Sequence, residues 1–308
     1  MNKELIPIKF SKRVENALLE RRAVLALEST VLTHGLPIPR NFEVLSLLEG
    51  LCLDSGVEPA TIIVLDGVAH VGLDDVDIVR LKAKLESGTE VQKLGRRDLS
   101  LAFAAGKSGG TTVSATMLLA YAAGIKVFAT GGIGGVHRAW NHTLDISNDL
   151  ITLAEIPVIV VSAGCKAILD LAATLEYLET NGVPVLGWKT TDFPAFYSCE
   201  SGLCIDSVNT AAEIAAIYKA QQNLDPIPKG ILVANPVPRE LEIPSEVINK
   251  HIESAIAAAS QKGITGKALT PFLLSYLAES TAGKSVETNL ALLKNNVVVG
   301  AKIARELR

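Results

Sequence analysis

Short β-branched runs separated by longer stretches of helical periodicity constrain this chain more than any other feature. The runs fall at Val24–Leu27, 62–65, Val127–Ala129, 158–161, Val185–Trp188 and 231–233, and each is apolar without alternation. That is the pattern of strands covered on both faces. Between them, 42–55, 74–85, 112–123, 167–178 and Ala211–Leu224 carry apolar residues at helical spacing, with Gly or Pro at many ends. Strand and helix in alternation predict an α/β sandwich. From about residue 245 the pattern turns almost purely helical (247–259, 271–278, 290–307) and reads as a helical layer over the sheet. Pro226, Pro228, Pro236, Pro238 and Pro244 surround the strand at 230–234. They mark loops around a sheet strand, and residues 1–308 read as a single domain.

Composition narrows the function classes. With 48% hydrophobic and 20% charged residues, the chain has the apolar content to build a large core. Its 29 basic and 33 acidic residues give a net charge of −4, so no global field favours nucleic acid or an anionic bilayer. No apolar run approaches the roughly 20 residues that span a membrane. Residues 1–13 mix Lys3, Glu4, Lys9, Lys12 and Arg13 with single apolar residues and lack the apolar block of a signal peptide. Cys52, Cys165, Cys199 and Cys204 are too few and too scattered for a disulfide framework. These features together predict a reducing, cytoplasmic compartment.

In open α/β sheets reactive groups gather just past the carboxyl ends of strands, and three such places carry chemistry. At Leu27-Glu28-Ser29-Thr30 an apolar strand ends in a carboxylate and two hydroxyls. Burial there would raise the Glu28 pKa toward general acid or base work; a helix cap or a salt-bridged edge is the plainer reading. At Ser162-Ala163-Gly164-Cys165-Lys166 a strand runs through small residues into a lysine that opens the helical pattern at 167–173. A helix N-terminus and burial both disfavour the ammonium, which would ready Lys166 for imine formation with a sugar carbonyl. The alternatives are a lysine reaching out to solvent or a plain phosphate-binding cation.

The third place is the densest: 128–138 (FATGGIGGVHR), followed by His142, Asp145, Ser147, Asn148 and Asp149. A Gly-rich turn after a strand lets backbone amides approach an anion, and Asp145 and Asp149 share a face if their segment is helical. Oxygen ligands suit Mg²⁺ or Mn²⁺ better than Zn²⁺, with His137 and His142 as further candidate ligands, while Asp145 and Ser147 also fit helix N-caps. His137 stands where a dinucleotide fingerprint needs Gly or Ala, so NAD binding is disfavoured. Gln92-Lys93-Leu94 with Arg96-Arg97 and Gly109-Gly110-Thr111-Thr112-Val113 add a basic segment and a second anion-friendly helix start.

Taken together these blocks resemble the pseudouridine-5′-phosphate glycosidases, also called the indigoidine synthase A-like group, over about residues 13–305. The resemblance rests on Ala26-Leu27-Glu28-Ser29-Thr30, His34-Gly35, Arg97-Asp98, Thr111-Thr112-Val113, FATGGIGGVHR, Asp145-Ile146-Ser147, Ser162 through Lys166 with Ile168-Leu169-Asp170, TLEYLET at 174–180, Pro194-Ala195-Phe196, Ala234-Asn235-Pro236 and Thr270-Pro271-Phe272. It implies a three-layer α/β/α sandwich with a mostly parallel central sheet, assembled as a homotrimer. It implies that Lys166 attacks C1 of a ring-opened ribose phosphate, that Glu28 handles protons, and that Asp145 holds one Mn²⁺ per subunit. Lys93, Val113 and the Ser147-Asn148-Asp149 segment would contact substrate, with Thr112, Thr130, His137 and Asn289 as further phosphate or sugar contacts. Two positions depart from the group's pattern: Cys165 stands where a smaller residue is common, and Leu94-Gly95 follows Lys93 where a hydroxyl is common. The rival readings are a Schiff-base aldolase or isomerase acting on another sugar phosphate and a non-catalytic metabolite-binding homologue.

Overall fold

Six apolar strands lie side by side in parallel: β3 (Glu58–Leu65), β2 (Val24–Leu27), β7 (Val127–Ala129), β9 (Ile159–Ser162), β13 (Ile231–Ala234) and β11 (Val185–Trp188). This is the sheet of the computed structural model, which describes residues 6–138, 140–264, 266 and 269–308; the reading of Lys3 and Glu4 lies outside the described residues. One register row runs through Ala60, Ala26, Phe128, Val160, Leu232 and Val185. Its first five members are fully buried. Short strands extend the sheet: β1 (Ile8–Phe10) and β4 (Val68–Val71) beyond β3, and β12 (Asp206–Val208) beyond β11. β4 runs antiparallel to β3, and so does β6 (Gly109–Thr111), which pairs in turn with β5 (Gln92–Leu94). A separate antiparallel pair joins β8 (Val136–His137) to β10 (Leu169–Asp170).

The helices include those that the periodicity marks at 42–55, 74–85, 112–123 and Ala211–Leu224, and shorter ones outside the marked intervals at Lys12–Leu19, Leu99–Ala104, Trp140–Thr143 and Asn148–Glu155. They are α1 (Lys12–Leu19), α2 (Arg40–Asp54), α3 (Asp75–Glu86), α4 (Leu99–Ala104), α5 (Val113–Ala122), α6 (Trp140–Thr143), α7 (Asn148–Glu155), α8 (Leu171–Thr180) and α9 (Ala211–Leu224). The C-terminal helical pattern resolves into α10 (Ser245–Gln261), α11 (Leu269–Ser280) and α12 (Lys284–Glu306). Of these, α12 lies across β2, β7 and β9, and α5 against β2, β3 and β7. Leu292, Leu293, Val297, Val299 and Ile303 of α12 are buried, each contributing about 1.5–3 kcal/mol of apolar burial. Close approach is possible because residue 300 is Gly: a Cβ there would stand 3.0 Å from Leu25 Cδ1 and 3.3 Å from Ala129 Cβ. A larger residue at 300 would lever the helix off the strands that carry the site. No helix among the described residues is long and apolar enough to cross a membrane.

The structure corrects two local readings. The helix expected to open at Lys166 starts at Leu171, after the short strand β10, with Asp170 as its N-cap and the Asp170 carboxylate accepting from Ala173 N at 3.0 Å. The helix dipole therefore acts at Leu171 and not at Lys166. Asp145 precedes α7 instead of lying in it, so Asp145 and Asp149 do not share a helical face; Ser147 is the N-cap, accepting from Asp149 N at 3.2 Å.

Candidate active site

Strand register sets the site. Leu27 pairs with Ala129, and Ala129 with Val161, so the next residues, Glu28, Thr130 and Ser162, arrive level at the carboxyl edge, where open sheets bind ligands. The Thr130 hydroxyl donates to Glu28 Oε1. The chain after Glu28 is bound to its neighbours: Ser29 Oγ donates to Ile62 O (2.6 Å) and accepts from Thr111 N (2.9 Å), and Thr30 Oγ1 donates to Thr111 O (2.7 Å). The two hydroxyls that follow the carboxylate thus fasten the chain leaving β2 to β3 and β6. Gly110 is required at that seam, because a Cβ there would lie 2.1 Å from Thr33 Oγ1.

Burial raises the Glu28 pKa, opposed by the Lys166 ammonium, the Thr130 hydroxyl and Lys93, and reinforced by Asp149. The carboxyl therefore holds its proton above the ordinary glutamate range, as a general acid must. Lys166 follows β9 on a loop that interlocks with the Gly-rich turn: Ala163 N donates to Gly131 O (2.9 Å), Ile133 N to Gly164 O (3.1 Å) and Lys166 N to Ile133 O (3.1 Å). These bonds hold the lysine's backbone while its side chain, half-buried, comes within electrostatic reach of Glu28 and His137. Lys93 on β5 reaches the same two groups. Cys165 is fully enclosed, and burial pushes its thiol up to about 12; it fills space behind the lysine and is not ionised at neutrality.

Part of the Gly-rich turn is committed to the protein's own hydrogen bonds. Its amides at Ile133, Gly134, Val136 and His137 donate to Gly164 O, Asp149 Oδ2, Thr174 Oγ1 and Asp145 O. The glycines answer to packing: a Cβ on Gly134 would meet Ser147 Oγ at 2.1 Å, and one on Gly132 would meet the Phe196 ring at 2.6 Å. Asp149, buried, spends one carboxylate oxygen on Gly134 N (2.8 Å) and the other on Ser114 N (2.9 Å). Through Ser114 it ties the turn to the start of α5, whose first residue is Val113 and whose N-cap is Thr112. Val113 is buried, so its side chain is enclosed, and its backbone N–H has no partner inside the helix.

The remaining candidates fall around this centre. His137 Nδ1 lies 3.9 Å from Asp145 Oδ2, whose side chain is 42% exposed. Burial lowers the His137 pKa, with Asp145 opposing and Lys166 and Lys93 reinforcing. His142 on α6 and Asn148 are exposed. Among the described residues no three His, Cys, Asp or Glu side chains stand together as a metal cage. Asn289 of α12 has an enclosed Oδ1 with no hydrogen-bond partner, beside Gly131, an acceptor waiting for a donor. Sequence reading missed Asn296, which holds the site from behind together with Asn235; in the sequence it follows Lys294-Asn295 and carries no signal that sets it apart.

Residues 13–306 match the family model described as indigoidine synthase A like protein. Proteins named pseudouridine-5′-phosphate glycosidase are 50% identical in Caldanaerobacter subterraneus (97% of this chain, 96% of that one) and 48% in Chloroflexus aurantiacus (96% and 97%). Among solved structures, the prealnumycin C-glycosynthase AlnA in complex with ribulose 5-phosphate superposes with TM-score 0.88 at 35% identity (97% and 96% covered). An indigoidine synthase A-like protein from Thermotoga maritima gives the same score at 34% identity (98% and 97%).

Proposed function

This chain belongs to the indigoidine synthase A-like family, and on that premise we propose that it is a pseudouridine-5′-phosphate glycosidase. It would break the carbon–carbon glycosidic bond of pseudouridine 5′-phosphate with water, reversibly, to give uracil and ribose 5-phosphate. The observation that carries this reading is the pairing of Glu28 and Lys166 at the ends of β2 and β9, flanking Thr130.

A carbon leaving group makes the usual two-carboxylate oxocarbenium route unfavourable. Covalent catalysis splits the problem. Ring opening breaks the ribose C1–O4 bond, the electron pair leaving with O4, and gives a C1=C5 double bond conjugated with uracil; the Lys166 amine adds to C1, that π pair moves into the uracil ring, and Glu28 delivers a proton to uracil C5. The C1–C5 electron pair leaves with uracil, and a lysine imine of ribose 5-phosphate remains for water to hydrolyse. Lys93 and the unpaired Asn289 acceptor suit phosphate and hydroxyl contacts. Asp145 supplies one hard oxygen, a donor suited to Mn²⁺ with water in the rest of its shell; when bound, the ion would lend positive charge to ordered water and substrate oxygens. The free state of all four cysteines supports a reducing, cytoplasmic setting, and a homotrimer belongs to the same proposal.

The test is borohydride trapping with ribose 5-phosphate, then peptide mapping, beside an ultraviolet assay for uracil release from pseudouridine 5′-phosphate. An adduct on Lys166 and steady uracil release are expected, with both absent in Lys166→Ala. Release without any adduct in an active preparation refutes the imine. An adduct without release turns the assignment to an aldolase or isomerase of another sugar phosphate, and neither signal points to a non-catalytic binding protein.

A further inference from the structure

We infer that Asn296 is a positioning residue for Glu28: from inside α12 it fixes the backbone of Thr130, and the Thr130 hydroxyl passes that placement on to the carboxyl. What Glu28 does in the reaction rests on the glycosidase reading; how it is held does not.

Asn296 is fully buried. Its Nδ2 donates to Thr130 O at 2.7 Å and to Gly131 O at 3.3 Å, and its Oδ1 accepts from Asn235 Nδ2 at 2.9 Å. Asn235 is buried as well, one residue past β13, where its backbone N donates to Ser162 O at 2.8 Å. The amide can sit only one way round, since the flipped form would set an oxygen against two carbonyls and a nitrogen against the Asn235 amine. Packing does not call for asparagine here: Leu292, Leu293 and Val297 already seal α12 on the sheet, and burying an amide costs desolvation that an apolar residue avoids. The amide instead caps the carbonyl of Thr130, the residue whose hydroxyl meets Glu28, and adds a longer bond to Gly131 O, which already accepts from Ala163 N. Asparagines from α12 and from the end of β13 thus brace the strand end between Glu28 and Lys166. The other charged groups facing Glu28 are Lys166, Lys93 and Asp149. The Asn296 side chain bonds to Thr130, Gly131 and Asn235, so its loss reaches Glu28 through Thr130, a donor that favours the carboxylate.

The test is a ¹³C NMR titration of the Glu28 carboxyl, assigned with Glu28→Gln, in wild type and Asn296→Ala. The midpoint is expected to rise by about half to one pH unit, the loss of roughly one ordinary hydrogen bond to the charged form. Thr130→Val should move it the same way, and Thr130→Ser should hold it near wild type. For uracil release, kcat should fall roughly ten- to hundredfold with KM within about threefold. A midpoint unmoved by Asn296→Ala, while Thr130→Val shifts it, overturns the inference. Titration needs no turnover, so a wild-type protein that fails to release uracil refutes the glycosidase reading and leaves this one standing or falling on the midpoint. If circular dichroism shows Asn296→Ala unfolded, Asn235→Ala, which frees the Asn296 amide without deleting it, must raise the midpoint by a smaller step, and no rise refutes the relay.

Discussion

Replacing Asp149 by Asn changes one atom in a buried carboxylate that joins two otherwise separate segments. In the wild type each oxygen accepts a backbone N–H, from Ser114 at 2.9 Å and from Gly134 at 2.8 Å. Asparagine keeps one acceptor and turns an NH₂ group toward the other amide, so one charge-assisted bond is lost and one buried N–H is left without a partner. Hydrogen bonds to charged groups contribute about 1.5–3 kcal/mol, so Asp149→Asn should destabilise by about 2–3 kcal/mol. Asp149→Ala, which orphans both amides, should cost about 3–6 kcal/mol on the same scale. Against a typical total of roughly 5–15 kcal/mol the second is a severe defect. Urea unfolding followed by circular dichroism reads both values, with an unchanged slope against denaturant required for a stability effect. An Asn variant within about 0.5 kcal/mol of wild type, yet slow in uracil release, would refute the structural account; Asp149 would then act mainly on the substrate.

Three further outcomes are expected. Because burial raises the Glu28 pKa, its contribution to stability is full below the ordinary glutamate range and is lost as pH rises through the raised value. Glu28→Gln should therefore raise Tm at pH 8 and leave it nearly unchanged at pH 4, and an equal gain at both would show the carboxyl is not strained. Gly132→Ala would place a Cβ 2.6 Å from the ring of Phe196, itself buried and held at φ +66°. That overpacking should cost about 1–3 kcal/mol, read as a lower urea midpoint; an unchanged midpoint would mean that the ring yields freely. Asp145→Ala should make uracil release indifferent to added Mn²⁺, and undiminished stimulation would remove Asp145 from metal binding.

What could be read from the chain alone was what depends on near neighbours. Six strand runs and the helical intervals between them follow from side-chain period and burial on both faces, and they appear in the structure as the parallel core of the sheet. Placing chemistry at strand ends drew attention to Glu28 and Lys166, because reactive side chains there emerge past the carboxyl edge whatever the details of packing. Tertiary structure decided the rest. It packed the Gly-rich run against Ser147, Asp149, Thr174 and Phe196, groups that reach it only in the folded chain. It moved the start of α8 to Leu171, because β10 pairs with β8, and no local preference of 167–170 encodes that partner. The bond from Asn296 to Thr130 spans 166 positions; contacts that distant leave no period in a sequence, and only the folded sheet brings their two ends together.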